Sequence, residues 1–154
     1  MGTIEARLSE LGITLAEPPK PVASYVGFVE HNGLVFVSGQ IPLQDGSITQ
    51  TGLLGEAVSV EEGQAAARVC ATNILAQVKV ACGGDLERIV RCVRLGGFVA
   101  CTSDFTDHPE VINGASDFMK EVLGERGEHS RAAVGMASLP RNVSVEVDAI
   151  FAIN

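Results

Sequence analysis

The stretch SYVGFVEHNGLVFVSGQIP, residues 24–42, indicates a pair of antiparallel strands. Two apolar-rich segments flank the Asn-Gly dipeptide at 32–33, and this dipeptide is the strongest short-range signal for a β-hairpin. A two-residue turn places Gly27 opposite Ser38, because the turn length fixes the register of the two strands. Tyr25 then lies on the same face as Ser38, and Gly27 leaves space beside the serine hydroxyl.

Capping signals and periodicity predict two helices. Ser59 and Glu62 form a capping box in front of an apolar stripe with helical spacing, which the Gly-Gly pair at 83–84 ends. A second apolar stripe predicts a helix over about 107–123, ended by Gly124. Each helix carries a single apolar stripe, so each covers one surface of another element.

The order of the elements predicts an α+β fold. Residues 88–101 have strand composition, and the Gly-Gly pair at 96–97 indicates a bulge or a close approach of the backbone. The segment 43–59 is rich in Gly and Ser without a sustained period, so we interpret it as a loop. Two further strands form a closing hairpin, which gives the order ββ, helix, β, helix, ββ. The expected architecture is a two-layer sandwich, with a mainly antiparallel sheet covered on one face by two helices.

The first 20 residues are interpreted as an N-terminal extension. Residues 3–11 predict a short amphipathic helix, and EPPKP at 17–21 is a stiff connector that excludes a helix. Residues 21–154 are then expected to form a single domain.

The closing hairpin suggests a role for Arg131, near the start of the strand HSRAAVGMASLP, residues 129–140. A four-residue turn at 139–142 sets Ser138 opposite Val143 and places Arg131 on the same sheet face as Glu146. That face has a floor of small residues, and the other face has a core composition: Ala133, Gly135 and Ala137 against Val134, Met136, Val143, Val145 and Val147.

A guanidinium beside such a recess suits a planar carboxylate, and a carboxylate such as Glu146 can act as a general base or hold a water. The alternative is a solvent-facing polar side of the sheet, on which Arg131 is a solvated residue at a strand end. The two side chains are about 13 Å apart along the hairpin, too far for one small acid to touch both. We therefore expect a neighbouring subunit to complete the site.

The composition argues against several classes of protein. With 11 basic and 19 acidic residues, a net charge of −8, no Trp and one Tyr, the chain lacks the basic and aromatic surface of nucleic-acid-binding proteins. No apolar run approaches the roughly 20 residues that span a bilayer, and the polar N-terminus is not a secretion signal. We expect a cytoplasmic protein without a membrane partner.

The four cysteines have neither CxxC spacing nor a His at ligand spacing, so they predict no metal site. They lie in apolar segments and are interpreted as reduced, buried thiols. The histidines show no sequence relation to them, so we expect no nucleophilic cysteine.

Four segments together resemble the RidA (YjgF) family of enamine/imine deaminases, also labelled endoribonuclease L-PSP or translation inhibitor. They are YVGFV at 25–29, LVFVSGQIPL at 34–43, VINGASDFMKEVLGE at 111–125 and SRAAVGMASLPRNVSVEVDAI at 130–150. The resemblance runs over about 21–153. It implies a chorismate-mutase-like α+β fold, a homotrimer with clefts between subunits, and hydrolysis of 2-imino or 2-enamino acids to 2-keto acids and ammonia without a cofactor.

The resemblance also implies roles for individual residues. Arg131 would bind the substrate carboxylate, and Glu146 would position or activate water. The cleft would be lined by Tyr25, Ser38 and Asn113, with the backbone around Gly39 and Ala133 in contact with the ligand. Ala133 replaces a Cys that is common in the family. That change, the extension and the longer loop after Pro42 indicate a divergent subgroup.

Three functions follow from these observations. A deaminase needs a carboxylate clamp and a water-excluding recess more than a strong nucleophile. A non-catalytic module that binds small carboxylates would need Arg131 but not Glu146. A ribonuclease would need an acid–base pair around a phosphate, and the histidines His31, His108 and His129 are scattered along the chain.

Overall fold

The computed structural model describes residues 2–20 and 22–154. Its helices and strands, in chain order, are α1 Thr3–Glu10, β1 Phe28–His31, β2 Leu34–Gln40, β3 Leu43–Gln44, β4 Ser47–Ile48, α2 Val60–Ala81, β5 Ile89–Ala100, α3 His108–Leu123, β6 Ser130–Met136 and β7 Val145–Ile153. Short 3₁₀ turns lie at Leu86–Arg88, Gly124–Gly127 and Pro140–Asn142.

A five-stranded sheet with the order β1-β2-β7-β5-β6 forms one layer, and α2 and α3 form the other. All pairings are antiparallel except that of β5 with β6. The core lies between the layers, where the largest fully buried side chains include Phe118 of α3 and Phe151 of β7. The α+β sandwich with helices on one sheet face is therefore confirmed.

The turn and helix-start signals in the sequence predict the local structure correctly. The Asn-Gly turn joins β1 to β2 with His31 opposite Leu34, and Asn32 and Gly33 have φ angles of 51° and 76°, as a type I′ turn requires. The Ser59–Glu62 capping box is present at the start of α2. The helix predicted at 3–11 forms as α1, which adds Ile4 and Leu8 to the core.

The segment 43–59 is not a plain loop. Asp45 and Gly46, with φ angles of 52° and 78°, turn the chain between β3 and β4. Both strands are only two residues long, too short to show a period in the sequence. The same segment buries Leu54 and Val58 in the core.

The Gly-Gly pair at 96–97 marks a close approach. A Cβ on Gly97 would lie 2.5 Å from Cγ1 of Ile112 on α3. The irregular pairing of β5 with β7 lies elsewhere, between Ile89 and Arg91 and between Cys92 and Arg94.

The predicted closing hairpin is wrong. β6 pairs in parallel with β5, whereas β7 lies on the other side of β5 and pairs with both β5 and β2. Residues 139–142 therefore carry the chain across β5 instead of reversing it next to β6, and Ser138 does not pair with Val143. Alternating polarity tells which side chains share a face of a strand, but it does not tell which strand lies alongside.

The corrected pairing places Arg131 and Glu146 on opposite faces of the sheet. Arg131 pairs with the fully buried Leu95 and contacts α3, so it lies on the helix side. Glu146 alternates with the buried Val145 and Val147, so it lies on the open side. Val134, expected in the core, also lies on the open side and is 40% exposed.

Candidate functional site

Four of the seven predicted site residues lie around one cleft of about 380 Å³. Tyr25 comes from the segment before β1, Ser38 and Gly39 from the end of β2, and Glu146 from β7. We call this the Glu146 cleft. Lys20 of the N-terminal connector and Arg141 lie at the same cleft and bring positive charge to it.

A bulge in β2 shapes the floor of the Glu146 cleft. The pairing with β7 shifts between Val37 and Gln40, which leaves an extra residue at Ser38–Gly39. A Cβ on Gly39 would overlap Oε1 of Glu146, so a larger residue at position 39 would displace the carboxylate.

Ser38 is fixed by the hairpin. Its backbone N–H donates to the Gly27 carbonyl at 2.9 Å, and its hydroxyl donates to the Val26 carbonyl at 2.6 Å. The opposition of Gly27 and Ser38 expected from the sequence is therefore present. The space beside Gly27 is taken by Gln77 of α2, because a Cβ on Gly27 would lie 2.5 Å from its Oε1.

Glu146 is a half-buried carboxyl whose pKa is raised, first by burial and second by the charge of Asp148. Burial also raises the pKa of Asp148, whereas Arg94 and the Gly96 N–H act in the opposite direction. The Glu146 carboxyl accepts no hydrogen bond from residues 2–20 and 22–154. A carboxyl with a raised pKa and unoccupied oxygens is suited to general acid–base chemistry.

The other three predicted residues lie on the helix side of the sheet, around Arg131. Its Nη1 donates to Oδ1 of Asn113 at 2.8 Å and to Oγ of Ser116 at 3.1 Å, and its Nη2 donates to the Pro109 carbonyl at 3.2 Å. We call these four residues the Arg131 cluster. Ala133 lies two residues further along β6 and packs against the core.

The Arg131 cluster leaves part of the guanidinium unused. Three of its five N–H donors are engaged by α3, so the Nε–H and one N–H on Nη2 have no partner within the described part of the chain. Two such donors in one plane match the two oxygens of a carboxylate.

Two members of this network, Ser116 and His129, were missed from the sequence. Nδ1 of His129 donates to the Gly127 carbonyl at 2.6 Å, so Nε2 of the neutral ring accepts the Ser116 hydroxyl at 2.9 Å. Ser116 thereby keeps a lone pair for Arg131. Ser116 follows Asn113 by three residues on α3, and this spacing on one helix face was the available signal. Nothing in the sequence around His129 indicated its contact.

The Glu146 cleft and the Arg131 cluster are well separated in one chain. Arg131 pairs with Leu95 and Glu146 with Phe98, on strands that flank β5. The two residues are offset by three residues along the strand direction, about 10 Å, and by two strand spacings across the sheet, also about 10 Å. The Cα atoms of Arg131 and Glu146 are therefore about 14 Å apart.

Within residues 2–20 and 22–154, no group of three or more His, Cys, Asp or Glu side chains could hold a metal ion. Likewise, none of the described helices is both long and apolar enough to cross a membrane.

A helix-covered, mainly antiparallel sheet with a carboxylate-bearing cleft beside its second strand defines a chorismate-mutase-like α+β protein. The family model described as "YjgF/chorismate mutase-like, putative endoribonuclease" matches residues 5–152. The chain therefore belongs to the YjgF family, which includes the RidA proteins.

Three known proteins are similar to this chain over most of its length. It is 44% identical to Protein TCP17 of Trypanosoma cruzi, with 99% of this chain and 96% of that protein covered. The crystal structure of a protein of unknown function from Agrobacterium tumefaciens is 53% identical, with a TM-score of 0.93 over 99% of this chain and 93% of that one. Escherichia coli TdcF with bound serine is 27% identical, with a TM-score of 0.62 over 90% of this chain and 94% of that one.

Proposed function

We propose that the protein hydrolyses 2-imino and 2-enamino acids to 2-keto acids and ammonia without a cofactor, at clefts between subunits. The observation that carries this proposal is the state of Arg131: α3 holds its guanidinium by three hydrogen bonds, and two donors have no partner among the described residues. A guanidinium held in this way binds a carboxylate without first losing its own rotational freedom.

The reaction needs few groups. An iminium carbon is already electrophilic, so the protein has only to hold the substrate, admit one water and relay protons. Arg131 binds the carboxylate of the substrate. Glu146 takes a proton from the attacking water as its oxygen bonds to the iminium carbon, and it then passes that proton to the amine nitrogen of the tetrahedral intermediate. The carbon–nitrogen bond breaks with release of ammonia as the hydroxyl of the intermediate gives its proton to Glu146 and becomes the keto oxygen, and the ammonia takes that proton away as ammonium. The raised pKa of Glu146 brings it nearer to the working pH of a general base.

A second copy of the chain supplies the missing half of each site. The open side of the sheet faces away from α2 and α3 and exposes the apolar side chains of Val29, Phe36 and Val134 by 53%, 43% and 40%. Closed symmetric assembly buries such a face, and the family resemblance favours a homotrimer. In that arrangement Arg131 of one copy meets the Glu146 cleft of the next.

A non-catalytic function is the second candidate. TdcF holds serine in its crystal structure, and serine carries the same carboxylate and nitrogen as an imino acid. A module that only binds such ligands would need the Arg131 cluster, whereas Glu146 would be dispensable. The ribonuclease suggested by the family description is disfavoured by the net charge of −8, which repels RNA.

Subunit complementation tests the catalytic proposal. Arg131→Lys and Glu146→Gln are each expected to be inactive toward an imine generated in situ and trapped with semicarbazide. When the two variants are unfolded, mixed in equal amounts and refolded, random assembly gives about a quarter of the sites both native residues. Activity near a quarter of the parent's supports the shared site. The surface variant Glu61→Gln is the control and keeps full activity.

Recovery of no activity, from a mixture that refolds to the parent's mass, would show that each site draws both residues from one copy. No imine hydrolysis by the parent protein, with ligand binding kept in Glu146→Gln and lost in Arg131→Lys, would favour the binding module.

A further inference from the structure

A second pocket, of about 310 Å³, lies where β5 ends and α3 begins. Cys101 directly follows β5, and His108 is the first residue of α3. The thiol Sγ of Cys101 is 3.4 Å from Nε2 of His108, within hydrogen-bonding distance of the ring nitrogen. The histidines show no relation to the cysteines in the sequence, because this contact depends on how the end of β5 packs against the start of α3.

The surrounding residues hold this pair in place. The ring of Phe105 packs edge-to-face on His108, with the ring centroids 5.3 Å apart. Gly135 of β6 faces the pair, and a Cβ there would lie 2.6 Å from Nε2 of His108 and 2.8 Å from Sγ of Cys101. The thiol and the imidazole thus meet in space that any other residue at 135 would fill.

Cys101 differs from the other three cysteines. Cys70, Cys82 and Cys92 are buried, and burial raises the pKa of each thiol, to about 12 for Cys92. Such thiols stay protonated and out of reach. Cys101 is only partly buried, lines a pocket and contacts a base.

We propose that Cys101 and His108 form a nucleophile–base pair that adds to small α,β-unsaturated carbonyl compounds. The thiol proton passes to Nε2 of His108 while sulfur bonds to the β-carbon. The π electrons move to the carbonyl oxygen, and the resulting enolate takes a proton back at the α-carbon. No group leaves and no oxidant is needed.

The geometry favours addition over acyl transfer. Cysteine hydrolases orient their histidine through a third side chain. The imidazole of His108 makes no other hydrogen bond within residues 2–20 and 22–154. Addition needs one proton shuttled over a short distance and no leaving group. The walls also fit the reagent, because Phe105, Met136 and Ala137 are apolar, and Ser103 carries a hydroxyl for a carbonyl oxygen.

This pair is separate from the proposed imine chemistry, since neither Arg131 nor Glu146 lines its pocket. Its test is the rate of alkylation of the intact protein by acrylamide at neutral pH, followed by mass spectrometry. We expect one adduct, on Cys101, formed at least about tenfold faster than on N-acetylcysteine under the same conditions. The chain unfolded in urea should instead react at all four cysteines, at the rate of the free thiol.

Two variants assign the acceleration to the pair. His108→Gln is expected to react at least about tenfold more slowly, whereas His31→Gln, on the exposed hairpin, reacts like the parent. Gly135→Ala pushes the two side chains apart and gives the same loss as His108→Gln. A parent rate equal to that of N-acetylcysteine, an adduct on another cysteine, or a parent-like rate in His108→Gln would each overturn the proposal.

Discussion

Substitution of Arg131 by lysine separates the geometry of the guanidinium from its charge. Lysine keeps the positive charge but offers its donors from a single nitrogen, so it cannot hold Asn113, Ser116 and the Pro109 carbonyl while presenting a planar pair to a carboxylate. One hydrogen bond to a charged group is worth about 1.5–3 kcal/mol, and about 1.4 kcal/mol corresponds to a factor of ten. We therefore expect kcat/KM for imine hydrolysis to fall between about tenfold and about 100-fold.

The stability of Arg131→Lys should change much less. The side chain is only partly buried, so water replaces the lost hydrogen bonds at a cost of about 1 kcal/mol, or about 2–4 °C in the thermal midpoint. Arg91→Lys is the matched control, because Arg91 is exposed and donates to the Glu128 carbonyl outside the Glu146 cleft and the Arg131 cluster. The measurements are steady-state kinetics and a thermal scan of both variants. Full activity in Arg131→Lys would refute the clamp, and a loss of more than about 10 °C would assign Arg131 to folding.

Four further outcomes are expected. Because burial raises the pKa of Glu146, the ionised carboxylate destabilises the fold above that pKa, and this cost disappears as the pH falls through it. The thermal midpoint of Glu146→Gln should therefore be higher than the parent's at about pH 8. The difference between the two midpoints should shrink by about pH 4. An equal or lower midpoint at the higher pH would contradict this. Gly39→Ala forces the Glu146 carboxylate aside, so kcat/KM should fall at least about tenfold; parent-like kinetics would show that the site tolerates the shift. Phe36→Asp should convert the proposed trimer to monomers in sedimentation experiments, and an unchanged mass would show that the open sheet face is not the interface. Alkylation of Cys101 should leave the rate of imine hydrolysis unchanged. A loss of activity in proportion to the alkylated fraction would show that Cys101 takes part in imine hydrolysis.

Local signals in the sequence predicted local structure well. The Asn-Gly turn, the Ser59–Glu62 capping box and the two apolar stripes each act within a few residues, and each appears in the structure. The α+β class followed from their order. The small β3–β4 hairpin was not predicted, because the strands on either side of its Asp-Gly turn are too short to show an alternating pattern.

Strand neighbours could not be derived in the same way. β6 and β7 are adjacent in the sequence and are joined by a connection of hairpin length, yet β5 lies between them. A parallel partner for β6 requires contacts between residues far apart in the chain, and alternation within β6 is the same whichever strand lies beside it. The contacts of Ser116 with His129 and of Cys101 with His108 could not be predicted from the sequence either, because they depend on how β5, β6 and α3 pack.

The corrected topology strengthens the argument for a shared site. On one face of a hairpin, a gap of about 13 Å could close by a movement of side chains or be bridged by a longer substrate. On opposite faces of the sheet it cannot, because the backbone of β5 and β7 lies between Arg131 and Glu146. β6 is an edge strand, so Arg131 stands at the rim of the sheet, where a neighbouring copy can approach it. The chemistry and the assembly are therefore one proposal, and a stable monomer that hydrolyses imines at the parent's rate would refute both.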